Sequence, residues 1–228
     1  LSTTPLSIAT SPSAGGTARF GADLNLQGEE SVCWEQSLNS TTTPDANATH
    51  GKCLTAGMDL PQLAGGVLME CWAKISASSV VRNFTLIGLK SSTHSGNALR
   101  RVALLQVACD SGLPTLYVSD SAGTLLALAG SASGYNDGNW HHYVFHVSGT
   151  GLTAKMWVDG TERASGSLVS VPAGTVDRVS VGGEVDDWSA QNILVGQLAH
   201  VALFQVASVD SRRVSARSNA GLFGFPER

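Results

Sequence analysis

Charged residues are scarce in this chain, at 14% of its 228 residues, and aromatic residues reach only 6%. The formal net charge is −4, from 14 Lys and Arg against 18 Asp and Glu. The sequence shows no basic patch of the kind that neutralises phosphates, so nucleic acid is not an expected partner. It also lacks the run of about 18 apolar residues that a membrane-spanning helix needs, so we expect no membrane insertion.

Cysteine is also rare, with four residues, and none of them stands in the Cys-x-x-Cys spacing that indicates zinc. Cys71 falls on the apolar side of an alternating segment and is expected to be a small buried hydrophobic residue. Cys33 and Cys53 bracket a segment rich in Ser, Thr and Asn. A disulfide between them remains an open alternative, and it would stabilise the fold by roughly 3 kcal/mol. The cysteine count leaves the cellular compartment open.

What the chain does contain is apolar segments that recur every 8–14 residues, with turn residues between them. No helical pattern alternates with these segments, which argues against a parallel α/β sheet and for an all-β fold. One helix is predicted, over 209–219. Residues 1–16 resemble a linker, 17–222 are expected to form one β-sandwich, 223–228 a tail, and 37–52 a loop. The predicted strands are 18–26, 31–34, 67–75, 84–89, 102–109, 116–118, 125–128, 140–147, 153–158, 178–182 and 194–204.

Two of these segments show the pattern most clearly. In 67–75 the odd-numbered residues are apolar, whereas Glu70 and Lys74 lie on the other side with Trp72 between them. This alternation predicts a half-buried strand with a polar outer face. The segments 140–147 and 153–158 are followed by Asp159-Gly160, a strong hairpin turn signal.

Four pieces of the sequence resemble the laminin-G-like, concanavalin A-like jelly-roll family. They are Glu70–Lys74, Asp137–His142, Lys155–Gly160 and Gly196–Phe204, and the resemblance extends over residues 18–221. It implies a two-sheet antiparallel jelly-roll sandwich with at most a short helix near the C-terminus. One departure is that Ala199-His200 replaces the acidic pair of the family's closing strand. The style of the turns is also similar to that of modules in bacteriophage tail or surface proteins.

His141, His142 and His146 are the obvious candidates for a metal site. Strand geometry argues against one, because His142 and His146 share a face but lie about 13 Å apart, and His141 points to the opposite face. Zinc–nitrogen bonds are only about 2 Å long. We therefore expect His141 to pack or hydrogen-bond inside, while Trp140 and His142 cover a sheet surface.

A catalytic interpretation centres on Glu184 and Asp186. They are similar to the first two acids of the Glu-x-Asp-x-x-Glu strand in laminarinase-like glycoside hydrolases, which share the jelly roll. Retaining glycosidases need two carboxyl groups about 5–5.5 Å apart. Here the second Glu is missing, since Trp188 and Ser189 occupy that region. A glycosidase is therefore the least favoured function, and we expect no enzymatic activity.

The same segment is better suited to binding. Asp186, Asp187, Trp188, Gln191 and Asn192 combine an aromatic ring with hydrogen-bonding groups, a mixture that suits sugars. A solvated hairpin loop is the structural alternative. No cofactor is expected, although these oxygen atoms could hold Ca²⁺.

The sequence thus predicts a non-catalytic recognition module for a glycan or a surface protein. Such a module would belong to an extracellular or virion-surface assembly. The alternative is a purely structural module that mediates protein–protein assembly or decoration. The low charge favours this alternative, as does the linker-like start of the chain.

Overall fold

The computed structural model describes part of the chain, and the side chains of residues up to 60 and of 184–193 are not among those described. The described residues are 7–10, 17–22, 32–37, 52–60, 65–76, 83–91, 101–108, 110–121, 124–148, 150, 152–170, 176–186, 189–191, 194 and 196–221.

Two antiparallel sheets of seven strands each form the fold. In sheet I the strands lie in the order β1 (Ser7–Thr10), β4 (Lys52–Leu60), β13 (Val176–Val181), β6 (Asn83–Lys90), β7 (Arg101–Ala108), β8 (Pro114–Ser119) and β9 (Leu125–Ala129). In sheet II the order is β12 (Thr161–Ser167), β11 (Thr153–Val158), β10 (Asp137–Val147), β5 (Val67–Ser76), β16 (Gly196–Gln205), β3 (Val32–Ser37) and β2 (Thr17–Ala22). The predicted all-β sandwich is confirmed.

The core lies between the sheets and is built by strand alternation. Every second residue of β5, from Val67 to Ile75, is essentially without solvent exposure. On β10, which pairs with β5 over most of its length, the alternate residues Tyr143, Phe145 and Val147 are also fully buried. The prediction for Cys71 is confirmed, since it is a buried free thiol in this core, and burial raises its pKa well above the usual value.

The helix predicted near the C-terminus is confirmed as α1 (Ser211–Ala220). Its N-cap is Asp210, whose carboxylate accepts a hydrogen bond of 2.9 Å from the Arg212 N–H. Gly221 ends it with a φ of 74°, and its N–H donates to the Ser218 carbonyl. No helix among the described residues combines the length and apolarity needed to cross a membrane.

The outer face of β5 differs from its prediction. Glu70 and Trp72 are buried rather than solvent-facing. Glu70 is covered because α1 packs on this side of sheet II, where Val214 contacts the cluster of Leu68, Val144 and Trp157. Trp72 is covered separately, by Ala199 and Trp140. The sheet therefore has a second, smaller apolar layer outside the main core.

The N-terminal part of the chain also differs from prediction. Ser7–Thr10, within the segment that resembles a linker, forms β1 and pairs with β4. The linker prediction is therefore wrong for these four residues, and β4 itself had no predicted counterpart. Cys33 and Cys53 lie on β3 and β4, where side chains are not described, so their disulfide stays untested. The boundaries of the domain and its tail stay predictions.

Candidate functional site

The segment predicted to bind a ligand contains a small ribbon separate from both large sheets. Its strands, β14 (Glu184–Asp186) and β15 (Ser189–Gln191), pair antiparallel. The register sets Glu184 opposite Gln191, and Asp186 opposite Ser189. These four polar residues therefore share one face of the ribbon, and Val185 and Ala190 share the other. In its described part this segment is a short hairpin, as in the structural alternative given above.

Backbone hydrogen bonds anchor the base of the ribbon to sheet I. The Gly182 N–H donates to the Leu86 carbonyl at 2.9 Å, and the Leu194 N–H donates to the Gly182 carbonyl at 3.0 Å. Leu194 is fully buried in the main core. The ribbon contacts β1, β4, β6 and β13, so it lies beside the strands at one end of sheet I.

Two of the five predicted site residues, Asp186 and Gln191, lie on the polar face of this ribbon. Asp187, Trp188 and Asn192 lie outside the described residues. Sequence reasoning considered Glu184 only as a catalytic acid, but the register places it on the same face as Asp186. The signal that was available was the period of two along Glu184-Val185-Asp186. The binding role of these residues stays a prediction.

A metal site is testable only where side chains are described. In that part of the chain, no group of three or more His, Cys, Asp and Glu residues lies close enough to hold a metal ion. The ribbon's side chains are outside that set, so the expectation of Ca²⁺ there stays untested.

His141 lies between two carboxylates, in agreement with its predicted inward hydrogen bonding. Its Nδ1 is 2.7 Å from Asp159 Oδ2, and its Nε2 is 3.0 Å from Asp137 Oδ1. A ring that donates from both nitrogens is an imidazolium. Burial alone would lower the pKa of His141, but hydrogen bonds to Asp159 and Asp137 outweigh it and raise the pKa. The site joins the start of β10 to the turn after β11.

The two other histidines of β10 lie on the outer face of sheet II and are buried. His142 stacks on Trp72 with ring centroids 4.9 Å apart, and its side chain is only 1% exposed. Burial lowers its pKa to about 4, against a smaller opposing effect of Asp159. His146 donates from Nε2 to the Val206 carbonyl at 3.0 Å, and burial lowers its pKa as well. These rings are therefore neutral at pH 7.

An ion pair between a buried carboxylate of β5 and a partly exposed arginine of α1 lies next to these rings. The Arg217 guanidinium donates to Glu70 Oε1, and Glu70 Oε2 lies 3.9 Å from His142 Nε2. Arg217 also sits over the ring of Phe204, with its guanidinium carbon 5.7 Å from the ring centroid. Sequence reasoning treated Glu70 as an exposed strand residue and did not connect it to the helix.

The closing strand β16 carries an irregularity where the sequence departs from the family pattern. The register with β5 shifts between Ala199 and Ala202. His200 lies in this bulge with a φ of 49°, which is uncommon for a residue other than glycine. His200 and Val201 are exposed as a result. The bulge interrupts the sheet surface between Trp72 and the α1 region.

Comparison with known proteins places these features in a family. The model of the concanavalin A-like lectin/glucanases superfamily, a laminin-G-type model, matches residues 39–211. Among curated proteins, none matches the chain.

Several solved structures share the fold. A native heptameric SAP-like pentraxin from Limulus polyphemus superposes with a TM-score of 0.59 at 14% identity, over 80% of each chain. The botulinum neurotoxin type G receptor binding domain gives a TM-score of 0.56 at 10% identity, over 94% of this chain and 46% of that one. The binding domain of botulinum neurotoxin DC in complex with SialylT gives 0.59 at 6% identity, over 95% and 46%. This chain thus spans about half the length of the toxin domains. At these identities the likeness establishes the fold alone.

Proposed function

This chain belongs to the concanavalin A-like lectin/glucanases superfamily, and we propose that it is a non-catalytic module that recognises carbohydrate or a surface partner. The family fold also carries hydrolases, so the fold does not decide between binding and catalysis. The names of several structural neighbours, among them a receptor binding domain and a complex with SialylT, support binding.

The observation that carries the proposal is the polar face of the ribbon at the end of sheet I. By strand register, this face holds Glu184, Asp186, Ser189 and Gln191. The base of the hairpin is hydrogen-bonded to the sandwich. A site on a fixed hairpin loses little conformational entropy when a ligand binds. The proposed binding rim consists of Asp186, Asp187, Trp188, Gln191 and Asn192.

The chemistry of these residue types fits sugars. An indole ring packs against the apolar face of a pyranose, while carboxylates and amides bond to its hydroxyl groups. The proposed location is extracellular or on a virion surface, where glycans and surface proteins are accessible.

The test is binding of the Trp188→Ala and Trp188→Phe variants to a glycan array. We expect the alanine variant to lose about 5-fold or more in affinity, since stacking contributes on the order of 1 kcal/mol or more. The phenylalanine variant should retain most of it, because it keeps an aromatic ring. Unchanged binding by Trp188→Ala would remove Trp188 from the site.

The structural assembly module remains the second candidate, favoured by the low charge of the chain. It predicts self-association or partner association without glycan retention. A domain that sediments as a monomer and binds a glycan tightly would count against it.

A further inference from the structure

Strand β9 is the terminal strand of sheet I, and its outer edge is open. It runs from Leu125 to Ala129 and pairs antiparallel with β8. In the part of the chain that the structure describes, no strand pairs with its other side. An open strand edge presents a row of unpaired N–H and C=O groups, which is a template for pairing with a further strand.

Alternation along β9 decides which residues present these groups. The Gly130 N–H donates to the Pro114 carbonyl at 2.8 Å, and the Thr124 carbonyl accepts from the Asp120 N–H at 3.0 Å. In an antiparallel pair, every second residue bonds to the neighbouring strand. The even-numbered residues of β9 therefore bond to β8, and the odd-numbered residues direct their N–H and C=O groups to the open edge. These are Leu125, Ala127 and Ala129.

The nearest strand of sheet II leaves this edge open. Leu126 and Leu128 turn inward, where the tips of their side chains lie against Gly166 of β12. β12 therefore lies beneath β9 and not beside it. A backbone bond to β12 forms beyond the end of β9, from the Ser131 N–H to the Arg163 carbonyl at 2.8 Å. Within the described residues, no such bond reaches the odd-numbered residues of β9.

β9 also lacks the usual protection of an edge strand. Natural sheets protect their edges with charged side chains, proline or a bulge. No charged residue and no proline occurs between positions 121 and 134. The register of β9 with β8 is continuous over the whole strand. By contrast, the terminal strand β12 of sheet II carries Glu162 and Arg163.

The surface beside this edge is apolar. Leu125 is 40% exposed and Val169 is 85% exposed, which makes them two of the four large hydrophobic residues exposed in the described part of the chain. Val169 lies near the start of β9, because Ser170 Oγ accepts a hydrogen bond of 3.2 Å from the Ser121 N–H in the turn before the strand. Apolar surface next to unpaired backbone groups favours a protein partner.

The sequence of β9 is complementary to itself. When two copies pair antiparallel about a two-fold axis at Ala127, Leu125 of each copy faces Ala129 of the other, and Ala127 faces Ala127. Each large side chain then meets a small one, and no like charges meet. The outward residues of both copies exchange N–H and C=O bonds, as in a regular antiparallel ladder. A two-fold interface of this kind uses the same surface on both subunits.

We infer that β9 is a dimer interface at which two copies of this chain pair edge to edge, so that sheet I continues across the two-fold axis. The contact is short, so it belongs to the small class of interfaces below about 1,200 Å² and is weak in isolation. It gains strength where copies are held close together in a larger assembly. The pairing does not depend on the ribbon, and it would stand if the ribbon bound nothing.

Sedimentation velocity of the full chain, between about 10 µM and 0.5 mM, tests this pairing. We expect the sedimentation coefficient to rise from the monomer value towards the dimer value with concentration. Ala127→Lys sets two lysines opposite each other at the axis, and Ala127→Glu sets two glutamates there. Each substitution should weaken association about 10-fold or more, because like charges then meet in the interface. Ala127 is exposed, so neither change disturbs the core.

A mixture of the two variants tests the register. Equimolar Ala127→Lys and Ala127→Glu should associate again, because opposite charges then face each other at the axis. Ala216→Lys is the matched control, since it adds the same charge at an exposed position of α1. It should change association by less than about 2-fold, because a distant surface charge is screened by salt.

Amide hydrogen exchange gives an independent measurement. In dilute solution the amides of Leu125, Ala127 and Ala129 should exchange fast, and at about 0.5 mM they should be protected. The amides of Leu126 and Leu128 bond to β8 and should be protected at both concentrations. This alternation distinguishes pairing at the edge from contact through another surface.

Three results would overturn the inference. They are a chain that stays monomeric at about 0.5 mM, a dimer that survives both substitutions at Ala127, and a mixture of the two variants that fails to associate. Trp188→Ala should leave the sedimentation unchanged. Failure of the glycan proposal at the ribbon is therefore distinguishable from failure of this one.

Discussion

Glu70 and Arg217 form an ion pair across 147 positions of the chain. The Glu70 side chain is 6% exposed on β5, the central strand of sheet II, and that of Arg217 is 38% exposed on α1. A buried carboxylate is costly unless it is paired and hydrogen-bonded. The pair therefore both satisfies Glu70 and fixes α1 against the sheet.

Removing the cation of this pair should destabilise the fold. Arg217→Met leaves Glu70 buried without its partner, and we expect the free energy of unfolding to fall by about 2–3 kcal/mol, below the range for fully buried pairs because Arg217 is partly exposed. Urea denaturation measures the loss. Arg212→Met, an exposed site on the same helix, should change stability by less than about 0.5 kcal/mol. Similar losses in both variants would show that the helix, rather than the pair, is affected.

Acid should destabilise the fold through His142. Burial lowers its pKa from 6.5 to about 4 in the folded state, so the unfolded chain binds protons more readily between these values. The neutral His142 ring therefore costs the fold no stability above pH 6.5. As the pH drops towards 4, this residue lowers the free energy of unfolding by up to about 3 kcal/mol. The measurement is urea denaturation between pH 7 and pH 4.

His142→Phe keeps a ring that can stack on Trp72 and removes the titration, so it should flatten this pH dependence. His200→Asn is the control, because His200 is exposed and asparagine tolerates its positive φ. It should leave the pH dependence intact. A profile that stays steep in His142→Phe would assign the acid sensitivity to other groups.

The two carboxylates around His141 predict a pH dependence of stability opposite to that from His142. A pKa that is raised in the folded state stabilises below the unfolded value of 6.5, and this stability is lost as pH rises through the folded pKa. Asp137→Asn should lower the pKa of His141, as measured by NMR titration of its ring protons. Glu162→Gln, an exposed carboxylate on β12, serves as the control and should leave it unchanged. An unaltered His141 in Asp137→Asn would mean that Asp159 alone sets its charge.

The strands that the sequence predicts well are those whose apolar residues alternate regularly over a short segment. β5, β10 and β11 alternate regularly and were predicted to within a few residues. β4 was missed although the sequence carries its signal, since Thr55, Gly57 and Asp59 alternate with the apolar residues of 54–60 as in a half-buried strand. Its partner β13, which lies more than a hundred residues away, could not be predicted from local pattern. β1 was missed because its surroundings are rich in Ser, Thr and Pro.

The candidate sites show the same limit. The hairpin turn at Asp159-Gly160 and the inward position of His141 follow from short-range pattern. The burial of Glu70 does not, because the helix that covers it comes about 140 residues later and no local period records that contact. The contact of Val214 with Leu68, Val144 and Trp157 was not predicted for the same reason, since it joins β5, β10 and β11 to the C-terminal helix.

The hairpin turn after β11 also supports α1, and a glycine substitution tests this. Asp159 and Gly160 have φ angles of 52° and 74°, the two left-handed positions of a type I′ turn. A Cβ atom at Gly160 would lie 2.9 Å from Ser215 Cα, which is backbone of the helix and cannot rotate away. Gly160→Ala should therefore combine turn strain with displacement of α1, and we expect a loss of about 2–4 kcal/mol in urea denaturation.

Gly134→Ala is the matched control, because Gly134 has a φ of 90° but no atom lies within 4 Å of the position that a Cβ would take there. It should show the backbone strain alone, about 1–2 kcal/mol. The difference between the two variants then measures how tightly α1 is seated on the turn. Equal losses of stability in the two variants would mean that backbone strain explains both, and that the helix backbone at Ser215 moves aside with no loss of free energy. The helix would then be held mainly by Val214 and by the Glu70–Arg217 pair.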